Sequence, residues 1–143
     1  MDDIAFVNEL AQVPPLRARF VAELEGAGVD GDELQGWALI FTELVNNAIA
    51  HGISNPGDEV TVRWWQAERR VAVSVVDPSD SGLTKQHFDD ADCDAFSETG
   101  RGAGLFLIRA WVHDLDVLRP PSGGTEIRIE RRREGPDQQG TER

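Results

Sequence analysis

The clearest pattern of apolar and polar positions runs from residue 32 to residue 51. Apolar side chains recur there at three- and four-residue spacing, at Leu34, Trp37, Phe41, Leu44, Val45 and Ala48. This spacing predicts an amphipathic helix whose apolar stripe faces a core. Asp30 precedes the segment as a candidate N-cap, and Gly52 and Pro56 follow it as terminators.

A second pattern predicts a β-hairpin. Residues 59–66 and 70–77 alternate in polarity or are rich in β-branched residues, and only the short segment 67–69 separates them. We expect Val71, Val73 and Val75 to share one face of the second strand. The remaining predicted elements are a strand or helical turn over 4–10, helices over 16–27 and 102–113, and strands over 115–118 and 125–131.

Two segments lack regular periodicity. Residues 78–100 are polar and acidic, which indicates a long loop of the kind that often forms a lid over a site. Residues 132–143 form a charged C-terminal tail. We therefore expect one domain over 1–131, an α/β (α+β) two-layer sandwich with helices on one face of a mixed, largely antiparallel sheet.

Composition narrows the classes of function. A chain of 143 residues with 40% hydrophobic and 28% charged residues is globular, and no apolar run approaches the roughly 20 residues that cross a bilayer. The start has no secretory signal and Cys93 is the only cysteine, so we expect a cytoplasmic protein without a membrane role. A net charge of -12 argues against direct nucleic-acid binding and favours a basic protein partner.

The predicted long helix carries the first candidate chemistry. Glu43 and Asn47 are four residues apart and therefore project from the same helical face. A carboxylate next to a carboxamide oxygen supplies a base beside a ligand for Mg²⁺, which takes few protein oxygens. A solvated polar face explains this pair equally well.

Three further motifs are ambiguous when each is taken alone. The turn from Gly100 to Gly104 leads into a helix, which suits phosphate binding by backbone amides. Asp77 ends a valine-rich strand, where its carboxylate could accept a hydrogen bond from the adenine amine. The third motif is Gly-Gly-Thr at residues 123–125, which leads into the last predicted strand.

The only lysine, Lys85, follows no glycine loop, so a P-loop is absent.

The order and spacing of these four motifs resemble the GHKL superfamily of ATP-binding domains, which includes gyrase and histidine kinases. The chain is most similar to bacterial anti-sigma-factor serine kinases of the RsbW type, over about residues 14 to 131. The resemblance implies a Bergerat-type ATP-binding fold. It also implies ATP and Mg²⁺ as cofactors, bound between the long helix and a lid.

The resemblance assigns a role to each matching residue. Asn47 would coordinate Mg²⁺, and Glu43 would be the general base. The roles implied for the nucleotide are adenine-amine binding by Asp77, lining of the base pocket by Gly82, phosphate binding by Gly102 and Gly104, and adenine binding by Thr125, directly or through water. Arg101 would steady charge on the transferred group.

One loop departs from the family pattern. After Asp77 the family has Asp-x-Gly-x-Gly, whereas here Ser79 and Ser81 occupy the glycine positions and Gly82 comes one place late. Serine has a β-carbon that glycine lacks. We therefore expect a reshaped loop or a looser adenine site, with the nucleotide affinity affected more than the fold.

Three functions follow as hypotheses. The first is an anti-sigma factor and serine-protein kinase that sequesters a sigma factor and phosphorylates an anti-anti-sigma antagonist, and that forms a homodimer. The second is a non-catalytic module that binds a sigma factor or antagonist, with weak or structural ATP binding. The third, a histidine kinase catalytic domain acting in trans, ranks last because no histidine has the phosphoacceptor pattern.

Overall fold

The computed structural model describes residues 2–91 and 102–133. Within these residues the strands are β1 (Asp2–Val7), β2 (Val60–Ala67), β3 (Arg70–Asp77), β4 (Asp114–Leu118) and β5 (Thr125–Arg132). The α-helices are α1 (Val13–Gly26), α2 (Gly31–Gly52), α3 (Lys85–Asp90) and α4 (Gly102–Trp111). A short 3-10 turn, Leu10–Gln12, leads into α1.

The five strands form one sheet in the order β1-β2-β3-β5-β4. Every neighbouring pair in this order is antiparallel. Helix α2 packs on β2 and β3, and α1 and α4 pack beside α2. The predicted α/β (α+β) two-layer sandwich is therefore confirmed, with an antiparallel rather than a mixed sheet.

The core lies between α2 and the sheet. Phe20 of α1 stacks on Phe41 of α2 at 4.4 Å between ring centroids, and the edge of Trp64 meets both rings. Trp37 packs edge-on against Phe20 at 5.8 Å. Each such buried side chain contributes roughly 1.5–3 kcal/mol. The predicted apolar stripe of α2 is thus the centre of the core.

Val71, Val73 and Val75 share one face of β3 as predicted, but burial does not alternate along this strand, because Ala72 and Ser74 are buried as well. Val71, Val73 and Val75 of β3 are all buried beneath the helices, as expected for residues two apart in a strand. Of residues 4–10, predicted as a strand or a helical turn, 4–7 belong to β1, which pairs with β2 along its whole length. Leu10 begins the 3-10 turn. No described helix is both long and apolar enough to cross a membrane.

Two local features differ from the sequence prediction. Residues 78–100 do not form one irregular loop, since α3 lies within them and buries Phe88. His87 Nδ1 accepts a hydrogen bond from the Thr84 backbone at 3.0 Å, so histidine takes the place of the usual glutamate in this helix start. Asp30 is the N-cap of α2, but its side chain makes no capping hydrogen bond.

An ionic cluster ties the edge strand β1 to α1. Arg19 contacts Asp3 at 2.9 Å and Glu23 at 3.3 Å, and Trp64 Nε1 donates to Glu23 Oε1 at 3.3 Å. Burial raises the pKa of Glu23, and a hydrogen bond from Glu23 lowers the pKa of Asp3. The two carboxyl groups therefore titrate as a pair, and Glu23 keeps its proton to a higher pH than Asp3 does.

We predict that Gly36→Ala destabilises the fold. A β-carbon at Gly36 would lie 2.6 Å from Trp111 Cε2. That ring cannot easily move, because Trp37 packs against it at 5.1 Å and the Arg131 guanidinium lies 4.1 Å above it. Overpacking typically costs about 1–3 kcal/mol, which outweighs the helix-propensity gain of up to about 1 kcal/mol.

The measurement is the free energy of unfolding from chemical denaturation. Gly26→Ala is the matched control, because no atom lies within 4 Å of the added β-carbon. We expect the control to be neutral or slightly stabilising. A Gly36→Ala protein as stable as the control would show that Trp111 repacks at no cost.

Candidate functional site

The end of β3 and the start of β5 meet in register. Asp77 and Thr125 are direct partners across the two strands. Gly124 lies so close to the Asp77 carbonyl oxygen that any β-carbon there would overlap it, and its φ is +87°. Only glycine combines that backbone conformation with that approach. The Gly-Gly-Thr motif therefore places Thr125 beside Asp77.

The Asp77 carboxylate is buried and held from one side. Its residue is only 7% exposed. Asp77 Oδ1 accepts a hydrogen bond from the Ser79 backbone N–H at 2.9 Å and from the Ser79 hydroxyl at 2.7 Å. A β-carbon added at Gly52, the last residue of α2, would lie 2.6 Å from Asp77 Cγ. The carboxylate is thus fixed between the end of α2 and Ser79.

Thr125 completes this arrangement. Its side chain is fully buried, and its hydroxyl donates to the Ser79 carbonyl oxygen at 2.9 Å. In this chain the loop after Asp77 is therefore tied to both β3 and β5. The serine that replaces glycine contacts both predicted adenine-binding residues, Asp77 and Thr125.

The second part of the site lies earlier in α2, before Gly52. Glu43 and Asn47 are both half-buried and one turn apart on this helix. A β-carbon added at Gly104 of α4 would lie 2.9 Å from Glu43 Oε2. The structure therefore brings together the predicted base and one predicted phosphate-binding glycine. Residues of bulkier type at Gly104 would push the Glu43 carboxylate away.

Helix α2 links the two parts. Gly52, against Asp77, follows Glu43 by nine residues, which is roughly 13 Å along a helix axis. This separation is comparable with the length of an extended nucleotide. Nine residues are about two and a half helical turns, so the two positions project from opposite sides of α2 and share only this axial spacing.

Fewer contacts are described for the other predicted site residues. Gly102 opens α4, and Gly82 lies in an exposed loop with a φ of +74° and no atom within 4 Å of an added β-carbon. Arg101 and Gly100 lie outside the described residues. The roles predicted for Gly82, Arg101 and Gly102 stay predictions.

The loop after Asp77 is anchored rather than free along its first part. Leu83 is buried, and its carbonyl oxygen accepts a hydrogen bond from Arg119. A cleft of about 260 Å³ also borders Asp77, but its lining includes Thr61 and Val76. Because these two residues point away from the helices, that cleft opens on the other face of the sheet.

Sequence reasoning missed two contributors to the site. Gly52 was expected only to end α2, and Ser79 was expected only as a departure from a pattern. The close packing of Gly52 on Asp77 depends on how α2 crosses β3, which no local signal encodes. For Ser79, its place two residues after an aspartate was a usable signal, since aspartate side chains often bond the backbone two residues on.

Comparison with known protein families matches residues 6–131 to the histidine kinase-like ATPase domain. This match spans most of the chain, so the chain belongs to that family of ATPase domains, which implies ATP binding. No curated protein matches the chain.

Structural comparison supports the same fold. The chain is similar to the catalytic domain of the histidine kinase ThkA in a nucleotide-free form, with a TM-score of 0.53 and 15% sequence identity. The similarity covers 92% of this chain and 97% of that one. At this identity it shows a shared fold and nothing about substrate.

We predict that Gly52→Ala weakens ATP binding. The added methyl group would displace the Asp77 side chain from its place against α2. Hydrogen bonds to charged groups contribute about 1.5–3 kcal/mol, so the loss of one at the base corresponds to roughly tenfold or more in affinity. Calorimetric titration with ATP measures the change.

The comparison requires proof that the variant is folded. Circular dichroism supplies it, and Gly26→Ala again serves as the control because it is remote from Asp77 in the chain and meets no neighbour. If folded Gly52→Ala binds ATP as tightly as the control, Asp77 is not part of the base site.

Proposed function

We propose that this protein is an anti-sigma factor and serine-protein kinase. In this proposal it binds Mg²⁺ and ATP, sequesters a sigma factor, and phosphorylates a serine on an anti-anti-sigma antagonist. Membership of the ATPase family supports the nucleotide, and the sequence resemblance supports the partners. The observation that carries the kinase activity is the position of Glu43 against Gly104 of α4.

The chemistry follows from what Glu43 can reach. Gly104 belongs to the glycine turn expected to hold the phosphates, so in this proposal the neighbouring carboxylate would lie beside the terminal phosphate. The serine hydroxyl loses its proton to Glu43, the serine oxygen bonds to the γ-phosphorus, and the bond to the bridging oxygen breaks, releasing ADP. Transfer by this route needs positioning and a base, and no covalent enzyme intermediate.

The donor set near Glu43 fits Mg²⁺. Asn47 offers a carboxamide oxygen one turn after the carboxylate, and Mg²⁺ is typically held by one or two protein oxygens together with waters and phosphates. Asn47 would hold the ion, and the ion would neutralise charge on the phosphate oxygens. Glu43 remains the residue that accepts the proton.

Adenine selection is assigned to the other end of the site. Asp77 Oδ1 is occupied by Ser79, whereas no described residue donates a hydrogen bond to Oδ2. A carboxylate oxygen accepts from an amine, as adenine offers, and repels the carbonyl oxygen that guanine presents at the same position. Thr125 would support the base from β5.

The second candidate function is a non-catalytic binding module. The observation that favours it is the loop after Asp77, in which Ser79 is hydrogen-bonded to both Asp77 and Thr125. A loop fixed in this way could serve the structure of the domain without catalysis. The third hypothesis, a histidine kinase catalytic domain, gains only a shared fold from the similarity to ThkA.

We also propose that two copies associate through the face of the sheet opposite the helices. Ile4 and Phe6 are 43% and 55% exposed there. Charges on this face pair with one another, as Arg128 does with Glu126 at 3.0 Å and Arg70 with Glu130 at 2.7 Å. This balance would let two chains of charge -12 approach at that face.

We expect Glu43→Gln to bind Mg²⁺ and ATP but to transfer phosphate slowly. Glutamine keeps the size of the side chain but cannot accept the serine proton at neutral pH. Removal of a positioned base typically costs ~10²–10⁴ in rate. A radiolabelled transfer assay on the co-purified antagonist measures the rate, and calorimetry measures ATP binding.

Asn47→Ala is the complementary variant. It should lose the magnesium dependence of ATP binding, because it removes the proposed ligand while leaving Glu43 in place.

Equal transfer rates for wild type and Glu43→Gln would exclude Glu43 as the base. Wild-type protein that binds a sigma factor but phosphorylates nothing would favour the non-catalytic module.

We expect wild-type protein to sediment as a dimer and Phe6→Asp to shift toward monomer. The substitution places a charge in the centre of the proposed apolar contact. Leu10→Asp is the matched control, because Leu10 is 54% exposed but lies in the 3-10 turn outside the sheet. Analytical ultracentrifugation decides between the states, and a monomeric wild type would exclude the dimer.

A further inference from the structure

Ser79 uses each of its polar groups within the site. Its backbone N–H and its hydroxyl both donate to Asp77 Oδ1, at 2.9 and 2.7 Å. Its carbonyl oxygen accepts from the Thr125 hydroxyl at 2.9 Å. Asp77 and Thr125 are already paired across β3 and β5. Ser79 therefore closes a ring of contacts around the two residues expected to meet the base.

The hydroxyl of Ser79 restricts the Asp77 carboxylate. The backbone N–H alone would leave the second lone pair of Oδ1 free, so that the carboxylate could rotate about its terminal bond, a torsion that is intrinsically broad. With both donors in place, Oδ1 is saturated and turned toward Ser79. Gly52 packs on the other side, 2.9 Å from Oδ1 for an added β-carbon.

This leaves Asp77 Oδ2 as the acceptor for a ligand. No described residue donates to it, and it is not among the enclosed polar atoms that lack a partner. It is therefore open to a donor that enters the site. The direction of this one oxygen decides whether a base with an exocyclic amine can bind.

The geometry points to Ser79 as a positioning residue for base selection. We propose that its hydroxyl orients Asp77 so that Oδ2 faces an exocyclic amine, which makes the site selective for adenine nucleotides. This inference rests on the proposed function, because it requires ATP to bind at Asp77. It gives a role to the serine that replaces a glycine in this loop.

Ser79→Ala tests the proposal, because it removes the hydroxyl and keeps the β-carbon and both backbone bonds. The probes are ATP and inosine triphosphate, which has a carbonyl oxygen in place of the amine. We expect the Kd for ATP to rise about tenfold, in line with the loss of a well-aligned hydrogen bond to a charged group. The Kd for inosine triphosphate should rise much less, so the ratio of the two constants falls.

Two further variants separate positioning from general loop damage. Ser79→Thr keeps the hydroxyl and should restore the wild-type ratio. Ser81→Ala is the matched control in the same loop, because the Ser81 hydroxyl accepts from the Leu83 backbone at 3.3 Å and has no contact with Asp77. The control should leave the ratio unchanged.

The outcomes are distinct. Wild-type protein that binds no ATP would overturn the proposed function and this inference together. If the wild type binds ATP but Ser79→Ala keeps the same ratio, or weakens both nucleotides equally, only the positioning role is overturned. A lower ratio in Ser79→Ala, restored in Ser79→Thr, supports it.

Discussion

The packing of α2 on the sheet is the constraint on which the rest of the structure depends. One stripe of this helix enters the core through Trp37, Phe41 and Val45, and all three are fully buried. Aromatic contacts with Phe20 and Trp64 lock the helix against α1 and β2. Because the interior is close-packed, α2 can take only one position along β3. That position brings Gly52 against Asp77 and Glu43 against Gly104.

The same packing explains why glycines occur where they do. Gly36 accommodates Trp111, Gly52 accommodates Asp77, and Gly104 accommodates Glu43. In each case the missing side chain lets a larger group from another element approach. Two of these three contacts lie in the proposed nucleotide site, so close packing and function are served by the same residue type.

The two ends of the candidate site differ in how many contacts hold them. The Asp77 end has several, and the Glu43 end has one described contact, near the start of α4. Around Asp77, Gly52 of α2 and Ser79 of the following loop contact the carboxylate, and Gly124 approaches the backbone carbonyl, which leaves little freedom for this residue. Around Glu43, the described contact is with Gly104 near the beginning of α4. The proposed base end is thus held mainly by the sheet, and the proposed phosphate end lies where α2 meets α4.

The sequence by itself determined the elements and the kinds of residue in the site. The three- and four-residue spacing of α2 and the alternation of β3 are local signals, since helix and strand periods repeat within a few residues. The order of Glu43, Asp77, the glycine turn and Thr125 also sufficed to indicate an ATPase domain. The sequence did not predict the short helix α3, because only one of its six residues, Phe88, is a buried apolar residue and no helical spacing can be recognised from one position.

Only the tertiary structure decided which of these residues meet. The pairing of Asp77 with Thr125 depends on the register of β3 and β5, and the place of Gly52 depends on how α2 crosses the sheet. Both are contacts between segments far apart in the chain, which no local period encodes. Ser79 shows both cases: its bond to Asp77 two residues earlier is local, whereas its carbonyl oxygen meets the Thr125 hydroxyl only because β3 and β5 pair in this register.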